Sequence, residues 1–207
     1  MIFAAFACKK EKNKPAEEPA PAPASPAPTG LNENSARYVN FAIASQGYSY
    51  SPSINNVWTS SSGGLQTSPS LPHYYVLHTT HNGASNFYVR LSDSTRVTAP
   101  VSDNYYKSFV SVKNYPFAKQ QYDAVGVYIS VTNPANSVAY FSINPLNGNS
   151  FQNGSTFNIS ETFYYNQNGS SFLTALYKAT VNCKLYNSSG DSIQLTNGEI
   201  VSTFSKF

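Results

Sequence analysis

Tyr177-Lys178-Ala179-Thr180-Val181-Asn182-Cys183-Lys184-Leu185-Tyr186 is the stretch that decides the fold. Tyr177, Ala179, Val181, Cys183 and Leu185 fall on one side of an extended chain. Lys178, Thr180, Asn182, Lys184 and Tyr186 fall on the other. A period of two over ten residues is the signature of a β-strand with one buried and one wetted face, the habit of antiparallel sheets. Cys183 lies on the apolar side, so it is expected to be a buried, inert thiol.

The same alternation recurs along the chain. Val39, Phe41 and Ile43 alternate with polar or small residues. Phe87, Val89 and Leu91 alternate with Tyr88, Arg90 and Ser92. Val125, Val127, Ile129 and Val131 alternate with Ala124, Gly126, Tyr128 and Ser130. Further strands are predicted near Val57-Trp58, Tyr74 to Thr79, Tyr105 to Val112, Val138 to Ile143, Thr156 to Ile159, Thr162 to Tyr165, Ser192 to Leu195 and Glu199 to Phe204. Asn-Gly pairs at 82–83, 147–148, 153–154, 168–169 and 197–198 supply residues that tolerate positive φ, as two-residue hairpin turns require. Thr196-Asn197-Gly198-Glu199, set between two alternating runs, is the clearest predicted hairpin. Asn133-Pro134-Ala135-Asn136 is a further turn.

No stretch sustains a 3.6-residue period. Ten or more short strands over residues 31–207 predict an all-β, antiparallel β-sandwich, jelly-roll or Ig-like. A closed lipocalin-like barrel is the alternative. A transmembrane barrel would need long strands with apolar residues facing lipid, which these are not.

The first 30 residues are of another kind. Met1-Ile2-Phe3-Ala4-Ala5-Phe6-Ala7 is apolar and ends in a small residue before Cys8. Lys9-Lys10-Glu11-Lys12-Asn13-Lys14 follows. Six of the chain's 13 prolines then fall between Pro15 and Pro28. Proline removes donors and fixes φ, so this stretch forms neither helix nor sheet. As an extended spacer at ~3.1 Å per residue it reaches roughly 40 Å.

This arrangement resembles bacterial lipoproteins, and the Cys-Lys-Lys start with a Pro/Ala tether resembles those of the Bacteroidetes. The resemblance covers about the first 30 residues. It implies that residues 1–7 are the end of a signal peptide cut before Cys8, and that the Cys8 thiol is diacylated. Residues 8–30 are then a tether, and the protein is lipid-anchored. No Asp stands after Cys8, which by the same resemblance implies the outer membrane, on its periplasmic or its cell-surface face. A signal peptide has a charged start and a 7–15-residue apolar core. No Lys or Arg precedes this seven-residue run, so the expected start lies upstream of Met1.

Charge excludes one class of partner. The domain carries nine Lys/Arg against seven Asp/Glu, scattered singly, where nucleic-acid binding wants a clustered basic stripe. Two cysteines so differently placed exclude a disulfide scaffold and a cysteine zinc site. His73 and His78, five apart, face opposite sides of one strand, and no carboxylate lies near His78 or His81. These three read as polar surface histidines beside a turn, and neither metal nor cofactor is expected. Serine chemistry lacks a Gly-x-Ser-x-Gly elbow. The seven domain carboxylates show no recognisable glycosidase pair, and no acidic loop has calcium-ligand density.

Aromatic residues are the more informative feature. Tyr occurs 16 times, always within the domain, with doublets at Tyr74-Tyr75, Tyr105-Tyr106 and Tyr164-Tyr165. On a strand each doublet turns one ring inward and one outward, and an outward ring can stack on a sugar or a partner protein. Trp58, Tyr74, Tyr105 and Tyr164 are the candidate ligand-binding residues. Ser94 and Ser192, in Asp-Ser-Thr and Asp-Ser-Ile, match the short O-glycosylation pattern of Bacteroidetes exported proteins. The expected function is a non-catalytic binding module for a surface glycan or protein. A structural subunit of an envelope assembly and a hydrolase with a fold-assembled site are the alternatives.

Overall fold

A computed structural model describes residues 30–51, 58–66, 73–82, 85–93, 101–119, 125–166 and 172–206. Cys8, most of the tether and Ser94 lie outside them. Eleven strands and one helix follow in chain order: β1 (Tyr38–Ile43), β2 (Gln46–Tyr50), β3 (Trp58–Gln66), β4 (His73–Asn82), β5 (Ser85–Asp93), α1 (Asp103–Phe109), β6 (Lys113–Asn114), β7 (Gly126–Thr132), β8 (Ala139–Phe141), β9 (Thr156–Asn166), β10 (Leu173–Tyr186) and β11 (Ser192–Ser205). The protein is all-β, with one short helix among the described residues.

The strands hydrogen-bond antiparallel in the order β2-β1-β11-β10-β8-β7-β5-β4-β3, with β9 beside β10 and β6 beside β9. The sheet curls into a half-barrel. Its bend is at β10: β9 runs along Leu173 to Asn182, whereas β8 touches β10 only at Tyr186, opposite Phe141. Two arms result, and their inner faces pack on each other as in a sandwich. Phe41 of β1 meets Phe87 of β5 with ring centroids 5.3 Å apart. The Ser61 and Ser205 hydroxyls hydrogen-bond at 2.7 Å, joining β3 to β11. Among the described residues no pairing links β2 to β3, so the barrel alternative, which requires closure, does not hold.

The core is what the alternation predicts. Val39, Phe41 and Ile43, then Phe87, Val89 and Leu91, then Val127, Ile129 and Val131, and the odd positions of β10 from Ala175 to Leu185 are all buried. Cys183 has no exposed surface, and burial raises its thiol pKa far above the ordinary value. Val125 is the exception, exposed just outside β7.

Three local readings are corrected. Tyr105 to Val112 is not a strand, because α1 occupies Asp103–Phe109. Ser102 caps it, its hydroxyl accepting from the Tyr105 N–H at 3.2 Å. Tyr106, Phe109 and Val110, at i, i+3 and i+4, are its buried side. The expected hairpin at Thr196–Glu199 is a bulge inside one strand. Cys183 pairs with Leu195 and Val181 with Gly198, so β11 holds one residue too many. Asn197 does take positive φ, but Gly198 does not, whereas a type I′ turn needs both. The Asn197 N–H donates to Asn182 Oδ1 at 2.9 Å. Likewise Thr156–Ile159 and Thr162–Tyr165 are one strand, bulged where Lys178 pairs with Glu161 and Ala179 with Ile159.

Candidate functional site

Parity on β4 places Tyr74, Val76, His78 and Thr80 in the core and Tyr75, Leu77, Thr79 and His81 on the outer face. The neighbours continue that face. Leu77 stands opposite Arg90 on β5, and Arg90 opposite Tyr128 on β7. On the next rung Thr79, Tyr88 and Ser130 align. Tyr75, Leu77, Tyr88, Arg90 and Tyr128 thus form one contiguous surface across three strands. All but Arg90 are partly exposed.

The geometry within it is ordered. Arg90 Cζ lies 4.6 Å from the centroid of the Tyr75 ring, within cation–π range. Tyr88 and Tyr128 meet edge to face at 5.9 Å and 73°. Tyr75 also leans over β3, where a Cβ on Gly64 would approach its hydroxyl to 3.2 Å. Arg90 is buried beneath this layer, and no acidic residue takes an outward position on β4, β5 or β7. The result is a firm aromatic surface with hydroxyl and amide neighbours at Thr79, Asn86, Ser92 and Ser130. Such a surface can stack on a planar apolar ligand face while its polar tips stay wetted.

The sequence candidates fare differently. Tyr74 is fully buried, its ring edge-on to Tyr105 and Phe109, so it has no surface to offer a ligand. The outward member of that doublet is Tyr75. Tyr105 and Tyr164 anchor α1. Tyr105 donates to Asp93 Oδ2 at 3.0 Å, and Tyr164 donates to the Lys107 and Val110 carbonyls. Trp58 opens β3 and pairs with His81 of β4. Ser192 is exposed at the start of β11.

Two polar groupings bear on hydrolytic chemistry. His78, read as a surface histidine, is fully buried. Its Nδ1 pairs with Ser202 Oγ at 2.7 Å and its Nε2 with Thr80 Oγ1 at 2.7 Å. Burial pushes its pKa down to about 3, and His81 adds to the shift. A Ser–His pair is present, yet Ser202, His78 and Thr80 are all sealed in the core and no carboxylate orients the ring. This network satisfies three buried polar side chains.

The second grouping lies on the outer face of the opposite arm. Tyr38 donates to Glu199 Oε1 at 2.7 Å, and Lys178 Nζ is 3.2 Å from the same oxygen. Burial, with Glu199 beside it, raises Tyr38 to about 12. The Tyr38 hydrogen bond, helped by Lys178, holds Glu199 below the usual carboxylate range. Glu161 sits opposite Lys178. Gly30, Leu31, Ser35 and Ala36 pass over these residues, leaving a shallow depression of about 320 Å³. A glycosidase acid needs a raised pKa, and Glu199 is shifted the other way. Among the described residues no group of three or more His, Cys, Asp or Glu is placed to hold a metal, and no helix is long and apolar enough to cross a membrane.

Fold and surface together define an all-β protein with an aromatic outer sheet face. No protein-family model matches the chain, and neither a curated protein nor a solved structure matches it.

Proposed function

We propose that the protein is a lipid-anchored, extracytoplasmic binding module whose ligand, a glycan or a protein at the cell surface, docks on Tyr75, Leu77, Tyr88, Arg90 and Tyr128. The observation that carries this reading is the placement of those side chains on one face, with Arg90 held under Tyr75. Tyrosine and arginine dominate binding energy because they bring large, rigid contact area with a polar tip. Placement relative to the tether supports it. The chain leaves the described fold at Gly30, beside Glu161, on the outer face of the β9-β10-β11 arm. The aromatic face belongs to the other arm. The point at which the chain leaves the described fold is thus on the arm that does not carry the aromatic face. Outer-membrane attachment through the acylated Cys8 is part of the proposal and rests on the sequence of residues 1–14.

The test is an array of neutral and acidic oligosaccharides, run beside cross-linking on intact cells, with the wild type and the Tyr75→Ala, Tyr88→Ala and Tyr128→Ala variants. Truncating a central ring should weaken binding by about 2 kcal/mol, roughly thirtyfold, with thermal stability little changed. Binding that survives all three truncations, or no partner in either format, would sink the reading.

A further inference from the structure

The loop between β8 and β9 is built in an unusual way. Leu146 and Phe151, five residues apart, are 67% and 61% exposed. A mobile loop could show apolar side chains by accident, but this one is held closely. The Asn144 N–H donates to the Asn149 carbonyl at 2.8 Å, and the Gly148 N–H to the Asn144 carbonyl at 2.8 Å. Asn144 Oδ1 accepts from the Leu146 N–H at 3.0 Å. Gln152 Nε2 donates to the carbonyls of Ser142 and Lys184, each at 2.7 Å, and its Oε1 accepts from the Lys184 N–H at 3.0 Å. The loop is thereby stitched to β10.

Both apolar side chains belong to the same end of the molecule, beside the β10–β11 turn. Leu146 reaches so near Gly190 that a Cβ there would meet its Cδ1 at 2.7 Å. Tyr186, the last residue of β10, donates to the Phe151 carbonyl at 3.4 Å. Among the described residues, the charged ones next to the loop are Lys184, over the Tyr186 ring at 5.5 Å, and Asp191, which accepts from Asn187 at 3.1 Å. This end is therefore close to neutral.

We propose that the Asn144–Gln152 loop is a membrane-contact tip, and that Leu146 and Phe151 enter the interfacial layer of the bilayer holding the acylated Cys8. The proposal rests on the anchored reading above. Two exposed side chains are too small for a protein interface, which needs roughly 800 Å² per partner. A bilayer needs only apolar area to bury, and binding scales with that area. Alone, two side chains would bind weakly. Tethering changes this by raising the local concentration of bilayer. Residues 9–29 separate Cys8 from the fold, and the stretch Pro15 to Pro28 alone spans roughly 40 Å when extended. The tip is thus within reach of the surface its own anchor occupies.

The experiment uses the full chain purified with its native lipid and placed in phosphatidylcholine vesicles. An environment-sensitive dye goes on Leu146→Cys, Phe151→Cys or Val112→Cys. Val112, 58% exposed, follows α1, which packs at the other end of β10. Labelling is selective because Cys183 is buried. Expected is a blue shift at 146 and 151, with quenching by brominated acyl chains several-fold stronger than at 112. Acylated protein whose dyes at 146 and 151 stay in water overturns the tip alone, as does equal quenching at 112. A shift that appears only when an envelope protein is added overturns it in favour of a protein partner. Protein without acyl mass on Cys8 removes the anchor, and the tip with it.

Discussion

His78 gives the sharpest quantitative prediction. Its imidazole lies in the core between two hydroxyls, each able to donate or accept, so the neutral ring is satisfied in either tautomer. The charged ring is penalised by burial, which takes the pKa from 6.5 down to about 3. In the unfolded chain His78 binds a proton below its ordinary pKa, while the folded chain refuses it until about pH 3. The unfolded state therefore holds more protons throughout that window, and stability falls as the pH falls. The slope is about 1.4 kcal/mol per pH unit, giving a loss of about 2 kcal/mol at pH 5 and about 4 kcal/mol at pH 3. That approaches the whole stability of an ordinary domain, roughly 5–15 kcal/mol. Glu199, held below its usual range, loses its contribution in the same direction at low pH, so the wild-type curve alone does not isolate the histidine. Urea denaturation at a series of pH values, for wild type and His78→Gln, does. The variant is expected to be less stable at pH 7 yet flatter by about one proton between pH 6 and 4. Parallel curves for the two proteins would refute the reasoning.

Three further outcomes follow from particular contacts. Tyr106→Phe removes a hydroxyl that donates to the Phe204 carbonyl at 2.6 Å and accepts from the Ala175 N–H at 3.1 Å. It should cost about 1–3 kcal/mol in denaturant melts, since the lost partners are buried. Gly198→Ala places a Cβ 2.6 Å from the Val181 carbonyl oxygen at the β11 bulge, and should lower stability by about 1–3 kcal/mol, read as a drop in melting temperature. Cys183, buried with its thiol pKa raised, should react with a thiol reagent only as fast as the protein opens, so its labelling rate should rise steeply with urea.

Much of the architecture was legible because one face of β1, β5, β7 and β10 is dry. The β10 alternation predicted its buried set from Tyr177 to Leu185, and β1, β5 and most of β7 followed the same rule. Where the reading failed, a local signal was outweighed by pairing on both sides. Asn197-Gly198 looks like a turn, but β11 is hydrogen-bonded to β10 and β1 before and after it, so the extra residue became a bulge. Around Tyr105 the strand preference of tyrosine masked the Ser102 cap and the helical spacing of Tyr106, Phe109 and Val110.

The candidate surface was half visible. Tyr88, Arg90 and Tyr128 stood in the wetted register of their strands, but sequence cannot say that β5 and β7 are neighbours. Nor does a doublet say which ring faces out. Continuing the parity of Val76 and Thr80 would have placed Tyr74 inside and Tyr75 outside, and His78 in the core with them. Ser202 as the partner of His78, 124 residues away, had no sequence signal at all.

Mass spectrometry of the mature chain isolated from membranes tests the central claim most directly. The account predicts a first residue at Cys8 carrying two or more acyl chains, with no leader residues ahead of it. A chain recovered from the cytosol with Met1 to Ala7 intact and an unmodified thiol would contradict it.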